Sequence, residues 1–354
     1  MDPHPRIIRP LWPPGIEGVN LSRPHGGAPN RDHLQQKHPM ASNNLNETEW
    51  IWHDGRWVPW HEATVHVLVH SLQFGSSLFE GIRCYETPDG PAVFRLGAHL
   101  RRLKDSCKIY RMDIADRIPE IAAACTEIVA RNGLRACYIR PMVVRGYGSA
   151  GLSPVGSTLD VYVACWPWGT YLGEGALEAG VDVKVSSWQR QEPNTFPSGA
   201  KAAGNYLNSQ LGRLEAIEDG YADAIALGPG GLVSEGTGQN VFLVRDGALI
   251  TPSLDGTNLN GITRDSIIRI AADLDIPVRE QAVPREWLYL ADELFFTGTA
   301  SEVTPIRSVD RIPVGEGRMG PVTRRIQERY LDIACGRAPD THGWLTAVPQ
   351  PVAV

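Results

Sequence analysis

Lys201 is the only charged residue between Phe196 and Tyr206, in the stretch FPSGAKAAGNY. An amine among small and apolar neighbours loses hydration, and desolvation lowers its pKa. A neutral amine can attack a carbonyl and form a Schiff base. An exposed lysine at a helix start has the same local sequence, so both readings stand at this point. Glu235 lies among small residues in LVSEGTGQN, as an exposed turn acid or as a carboxylate aimed at a ring nitrogen. In LNGITRDS, Gly261, Ile262 and Thr263 fall at an expected helix N-terminus. Free N–H groups and the helix dipole make such a place receptive to phosphate, and Thr263 is equally suited to cap that helix. Thr297 and Thr299 flank Gly298 in FFTGTASE, two hydroxyls around a residue whose missing side chain admits an anion. An amine, an acid for a pyridine nitrogen and a phosphate cup are together what pyridoxal phosphate requires.

A second group of residues could form a substrate pocket. Alternate residues of a strand share a face. Phe79, Gly81 and Arg83 alternate if that stretch is extended, as do Tyr138 and Arg140 in CYIRP. One face would then offer an aromatic wall, a space beside a glycine and a guanidinium. Core aromatics with a rim arginine give the same pattern.

The elements that must hold these residues are legible in part. Asp54-Gly55 and Asp246-Gly247 sit between apolar runs and predict two hairpins. HLRRLKDSCKIYRM places Leu100, Leu103, Cys107 and Tyr110 on one helical stripe, and IPEIAAACTEIVARNGL does the same with Ile118, Ile121, Cys125 and Ile128. Strands are expected at RACYIRPMVVRG, LDVYVACW, VDVKVSS, ADAIAL and ELFFTGTA. An amphipathic helix ending at Gly220 is expected at AAGNYLNSQLGRLEAIEDG, and further helices at TRDSIIRIAADLDI and GPVTRRIQERYLDIAC. Strands and helices mix without regular βαβ alternation, so the expected class is α+β with two domains. The expected organisation is a loosely attached or disordered arm over 1–47, a small α/β domain over 48–166, a Gly-rich connection over 167–180, a large domain over 181–345 and a tail over 346–354. The arm's lack of period points to Met40 as a candidate translation start.

Composition narrows the function classes. A net charge of −6 argues against a nucleic-acid surface. No apolar run reaches the length of a membrane span, and the prolines of MDPHPRIIRPLWPPG stand where an export signal needs an apolar core, so a cytoplasmic location is expected. The six cysteines form no Cys-x-x-Cys pair and read as reduced, mostly buried thiols. Of the ten histidines, His4, His25, His33 and His38 lie in the expected arm, and no helical His-x-x-x-His pair suggests a metal site.

From about Glu49 to Trp344 the chain resembles the bacterial branched-chain amino acid aminotransferases, of the fold-type IV pyridoxal-phosphate enzymes that also include the D-amino acid aminotransferases. The resemblance rests on an ordered series: VHVLVHSLQFGSSLFEGIRCY, HLRRLKDSCKIYR, CYIRPMVV, PWGTYLG, KAAGNYLNS, SEGTGQNVFLV, NGITRDSI and TGTASEVTPIRSVD. It implies that Lys201 carries pyridoxal 5′-phosphate covalently, Glu235 pairs with its ring nitrogen and Tyr206 with its phenolic oxygen. Arg102, Gly261, Ile262, Thr263, Gly298 and Thr299 would hold the phosphate. Phe74, Phe79, Gly81, Arg83, Tyr138, Trp168, Tyr171, Thr299 and Ala300 would line the substrate site, with Arg140 facing the distal carboxylate of glutamate. The family often has tyrosine where this chain has Phe74. The implied reaction moves an amino group from L-leucine, L-isoleucine or L-valine to 2-oxoglutarate, giving branched 2-oxo acids and L-glutamate. The resemblance also implies a homodimer or higher homo-oligomer with the site at the subunit interface. The rivals are a D-amino acid or (R)-amine aminotransferase or aminodeoxychorismate lyase of the same fold, a non-catalytic cofactor carrier, and a metal-dependent hydrolase.

Overall fold

The computed structural model describes residues 46–169 and 171–350. Met40 and all but the last two residues of the expected arm lie outside the described residues. The first strands, β1 (Trp50–His53) and β2 (Arg56–Pro59), form the first expected hairpin. Its turn residues Asp54 and Gly55 have φ of 45° and 84°. Two consecutive positive φ angles are what a two-residue hairpin turn needs, and Asp-Gly tolerates them. A short helix α1 (His70–Phe74) leads to β3 (Leu78–Phe79), β4 (Ile82–Thr87) and β5 (Gly90–Phe94). Helices α2 (Leu96–Ile109) and α3 (Ile118–Arg131) follow, then β6 (Cys137–Arg145) and β7 (Leu159–Trp166).

The apolar stripes of these two helices face inward. Leu100, Leu103 and Cys107 of α2 and Ile121, Cys125 and Ile128 of α3 are buried. They form one core with Ile82, Cys84, Ile139, Val163 and Cys165 of the strands. Side chains alternate across a strand, so the opposite face of the same strands is left for Arg83, Tyr138 and Arg140.

The second half comprises α4 (Ala176–Ala179), β8 (Val181–Val185), α5 (Tyr206–Glu218), β9 (Asp223–Leu227), β10 (Val233–Gly236), β11 (Asn240–Arg245) and β12 (Ala248–Pro252). Then come α6 (Ile262–Asp273), β13 (Val278–Gln281), α7 (Trp287–Leu290), β14 (Glu293–Gly298), β15 (Glu302–Val309), β16 (Ile312–Pro313), α8 (Pro321–Ala334) and β17 (Leu345–Ala347). The turn of the β11–β12 hairpin, Asp246-Gly247, again has two positive φ angles, 50° and 72°.

The strands build two sheets. One runs β17-β5-β4-β6-β7-β1-β2 with β3 beside β6; the other runs β10-β9-β8-β15-β14-β11-β12-β13 with β16 beside β15. Parallel pairing is confined to β8–β9, β8–β15 and β12–β13 among the described strands, which makes the class α+β. The two sheets share a core in which Tyr85 and Phe94 of the first meet Phe242 and Phe295 of the second and Tyr330 of α8.

Three details differ from the sequence expectation. Residues 345–347 do not trail off: β17 pairs antiparallel with β5, and Trp344 stands edge-on to Phe94 at 5.6 Å. Helix α6 begins at Ile262 with Gly261 as its N-cap, so Thr263 is not the cap; its side chain is buried beside the Tyr330 hydroxyl. Helix α5 is inverted relative to an ordinary amphipathic helix. Its buried residues are Ser209, Gly212 and Ala216, while Leu207, Leu211 and Leu214 are exposed. Small residues let the helix backbone approach the second sheet: a Cβ on Gly212 would lie 3.1 Å from the Ser186 hydroxyl.

Candidate active site

Lys201 precedes α5 and is tied to the first sheet through its main chain. Its carbonyl accepts from Phe79 N at 3.1 Å and its N–H donates to Ser106 Oγ at 3.0 Å. Ala202 bridges to Leu78. The side chain is free to enter a cleft between the sheets, where Nζ donates to Tyr206 Oη at 2.6 Å and lies 5.0 Å from the centre of the Phe79 ring. Burial, reinforced by the nearby Arg102 charge, lowers the amine's pKa from 10.5 to about 8. Burial, and next the Glu235 charge, pushes the Tyr206 phenol up to about 12. Lys201 is half-buried, with its amine inside the cleft instead of on the open surface.

Glu235 stands on β10 with 6% of its surface exposed. Its Oε1 lies 2.9 Å from Arg190 Nη2, and its Oε2 accepts from Leu259 N at 3.1 Å and Asn240 Nδ2 at 3.2 Å. Burial raises its pKa, against the pull of Arg190 and the Leu259 N–H. Gly261 contributes here as well as at the helix start. A Cβ on it would sit 1.9 Å from Asn240 Oδ1 and drive that amide away from Glu235.

Arg102 reaches the cleft from α2, steered by a carboxylate that the sequence reading missed. Glu80, with no exposed surface, takes both Nε and Nη2 of Arg102 at 2.6 and 2.8 Å, and bonds His99 Nδ1 at 2.7 Å. Arg102 Nη1 donates to the Asn260 carbonyl at 2.9 Å, just before α6. Burial alone would raise the Glu80 pKa, but the Arg102 charge and hydrogen bond hold it well below the ordinary carboxylate value. No side chain caps α6, and Gly261, Ile262 and Thr263 of its start line the cleft together with Arg102, Gly298, Thr299 and Ala300.

Of the aromatic candidates Tyr138 lines the cleft itself, and Phe79, Trp168 and Tyr171 pack around it. Arg83 and Tyr138 are direct partners across β4 and β6, and Tyr138 faces Trp166 of β7. Tyr138 stacks on Trp168 at 4.7 Å, and Trp168 on Tyr171 at 6.1 Å. The Arg140 guanidinium lies 4.7 Å from the Phe79 ring centre and 5.2 Å from that of Tyr138, with its buried Nε unpartnered. Gly81 is a requirement of this wall, since a Cβ there would fall 1.7 Å from Tyr138 Oη.

Two sequence candidates stand elsewhere. Arg83 is turned to Glu302 on β15, 3.2 Å away, and Tyr85 Oη donates to the same carboxylate at 2.8 Å. That guanidinium joins the two sheets and does not line the cleft. Phe74 is 42% exposed on α1, packed on His70 at 4.6 Å, also outside the cleft. The functional neighbours that sequence reasoning missed are Glu80, Arg190 and Asn240. Only the two charged ones carried a signal, an acid beside Gly81 in FEGIR and the one ion of SSWQRQ, and neither named its partner.

The cleft encloses about 700 Å³ including its open mouth. Among its lining residues Ser198 Oγ, Asn205 Oδ1 and Thr297 Oγ1 are buried without a hydrogen-bond partner. Buried polar atoms of native proteins are normally satisfied, so these describe a cavity shaped for a polar occupant. An amine on one side, a carboxylate fed only by donors, and an uncapped helix start with an arginine make up the set that suits pyridoxal phosphate.

The amino-transferase class IV family pattern matches residues 77–309. The chain is 50% identical to the branched-chain-amino-acid aminotransferase of Escherichia coli (strain K12) over 305 residues, 86% of this chain and 99% of that protein. It is 45% identical to the protein of the same name from Pseudomonas aeruginosa, over 84% of this chain and 97% of that one. The E. coli crystal structure superposes with a TM-score of 0.84 at 50% identity, covering 86% of this chain and all of that one. The branched-chain amino acid aminotransferase from Thermobaculum terrenum, in its PLP-form, superposes with a TM-score of 0.78 at 37% identity, covering 85% and 99%. On this ground the chain belongs to the class IV aminotransferases.

Proposed function

We propose that this protein is a branched-chain amino acid aminotransferase, moving the amino group of L-leucine, L-isoleucine or L-valine to 2-oxoglutarate with pyridoxal 5′-phosphate as cofactor. The observation that carries the reading is the half-buried Lys201, its amine 2.6 Å from Tyr206, in one cleft with the buried carboxylate of Glu235. The names of its relatives, at 45–50% identity over nearly their full length, support this substrate class over D-amino acids or simple amines.

When bound, the cofactor supplies an aldehyde for amines and a protonated ring that accepts electron density from the substrate α-carbon. In this reading Lys201 is its covalent anchor. With a pKa of about 8, about one-tenth of the amine is neutral at pH 7 before any cofactor binds, enough to serve as a nucleophile. Once released, Lys201 Nζ takes the proton from the substrate α-carbon, and Tyr206 Oη holds that nitrogen in place. Glu235 receives the ring N–H. Arg102, Ile262, Thr263 and Thr299, with Gly261 and Gly298 giving close approach, hold the phosphate. Phe79, Tyr138, Trp168 and Tyr171 exclude water beside an aliphatic side chain, Gly81 leaves room for it, and Thr299 and Ala300 close the opposite side. Arg140, set among aromatic rings, offers a charge to the distal carboxylate of glutamate.

We place the enzyme in the cytoplasm as a homodimer or higher homo-oligomer. Among the described residues no helix is long and apolar enough to cross a membrane. Exposed Val67, Leu68, Leu72 and Phe74 beside α1, and Leu207, Leu211 and Leu214 on α5, are apolar surface that a second copy would cover. Phe74 would then serve the site of the second copy.

The test is an amino-donor panel with 2-oxoglutarate, read by glutamate formation, with D-alanine as the contrast to L-leucine. Activity with L-leucine, L-isoleucine and L-valine, a visible cofactor band, and loss of both in Lys201→Ala are expected. An active Lys201→Ala enzyme or a preference for D-alanine overturns the reading.

A further inference from the structure

We infer that Arg190 is a positioning residue for the reaction: it keeps the Glu235 carboxylate ionised, and through it keeps the proton on the ring nitrogen of the bound cofactor. This rests on the function proposed above. Arg190 lies on the loop after β8, 8% exposed, and three groups fix it. Its Nε donates to the Thr257 carbonyl at 3.2 Å, Nη1 to Ser209 Oγ on α5 at 3.1 Å, and Nη2 faces Glu235 Oε1 at 2.9 Å. The guanidinium is thereby locked between a loop and a helix before it meets the acid.

The surroundings of Glu235 decide its charge. Its other oxygen takes a main-chain N–H from Leu259 and the Asn240 amide. All three partners are donors, and a protonated carboxyl would turn its own O–H against one of them. The site is therefore built for the anion. A carboxylate out of water reverts to its acid unless a charge opposes the loss of hydration. The other cations whose fields reach it are Lys201 and Arg102, and neither is hydrogen-bonded to it. Lys201 would be tied up in the linkage to the cofactor, and Arg102 is engaged by Glu80. That leaves Arg190 as the cation in contact. Tyr206, the remaining titratable group beside Glu235, is neutral at working pH, its phenol raised to about 12 by burial and next by the Glu235 charge.

The experiment compares wild type, Arg190→Lys, Arg190→Met, Glu235→Gln and the double variant Arg190→Met/Glu235→Gln, each as holoenzyme. The first readout is the ¹⁵N chemical shift of ring-labelled pyridoxal phosphate between pH 6 and 9, which reports the ring proton directly. The second is the single-turnover rate with L-leucine. The wild-type ring nitrogen should remain protonated across the range, and that of Arg190→Met should be largely unprotonated from its lower end, with the proton held on Glu235 instead. The single-turnover rate of Arg190→Met should fall about tenfold to a hundredfold, the span that one charge-assisted hydrogen bond commands. Arg190→Lys should recover part of both. The double variant should be no slower than Glu235→Gln alone, because Arg190 acts through that carboxylate. A wild-type ¹⁵N shift in Arg190→Met, or additive losses in the double variant, overturns the inference. A wild-type protein that binds no cofactor overturns the proposed function instead. Should Arg190→Met fail to fold, the neutral Arg190→Gln takes its place: an unchanged shift and rate overturn the inference, and a loss of ring protonation supports it.

Discussion

Replacing Lys201 with methionine should stabilise the cofactor-free protein at neutral pH, and the gain should disappear as pH rises. The amine's pKa in the fold is about 8, below the ordinary 10.5. Between those values the unfolded chain holds more protons than the folded one, so the stability of the wild type climbs with pH. Below pH 8 the whole cost of burying the ammonium is present. The gap between 10.5 and about 8, at roughly 1.4 kcal/mol per pH unit, makes that cost about 3 kcal/mol. Methionine fills similar space without a charge, but it leaves Tyr206 Oη without its 2.6 Å partner, a loss of about 1 kcal/mol that does not vary with pH below 10. The apo variant should therefore be about 2 kcal/mol more stable than the apo wild type at pH 7. By pH 9.5, one and a half pH units above the amine's pKa, the wild type should have recovered about 2 kcal/mol, closing the difference. Urea unfolding of both proteins at the two pH values measures it. A stability difference that is the same at pH 7 and pH 9.5 would refute the claim that the cleft strips water from this amine.

Other substitutions probe the walls. Gly81→Ala should displace Tyr138, whose hydroxyl occupies the Cβ position to within 1.7 Å, costing about 1–3 kcal/mol in stability and raising KM for L-leucine more than it lowers kcat; thermal unfolding and steady-state kinetics report the two parts. Glu80→Gln leaves Arg102 without its bidentate anion, and the Kd for pyridoxal phosphate, titrated on apoenzyme, should rise about tenfold or more. Arg83→Met should destabilise by about 3–5 kcal/mol, since Glu302 is left buried without its cation, while Arg83→Met/Glu302→Gln should recover much of that loss in the same urea assay. Leu207→Gln/Leu211→Gln/Leu214→Gln should lower the mass seen by sedimentation, and an unchanged mass would remove α5 from the subunit contact.

The sequence was most legible where local chemistry decides the geometry. Asp54-Gly55 and Asp246-Gly247 each occupy two positive-φ positions, a demand that few residue pairs meet. The stripes of α2 and α3 bury because both lie on one sheet and nothing competes for their apolar faces. Helix α5 defeated this logic. Its tertiary neighbour demanded small residues and left the leucines outside, so periodicity alone pointed the wrong way. Lys201 and Glu235 could be picked out as residue types and Tyr206 came only with the family resemblance, whereas their shared cleft depended on contacts between distant segments. The supporting charges were hidden for the same reason. Glu80 pairs with Arg102 and Arg190 with Glu235, and nothing in FEGIR or SSWQRQ states which ion will be opposite. Phe74 and Arg83 belonged to the right motifs, but α1 turns the first toward solvent and Glu302 claims the second.

The main chain around Lys201 behaves as a stitch. Leu78 and Phe79 of β3 and Ser106 of α2 fasten it to the first sheet and its helix, and a few residues later the chain enters α5, which rides on the second. A rocking motion of one sheet against the other would drag the nucleophile with it and spoil its alignment to Glu235. Ligand traffic is therefore expected to pass through movements of side chains at the mouth, with the scaffold itself holding still.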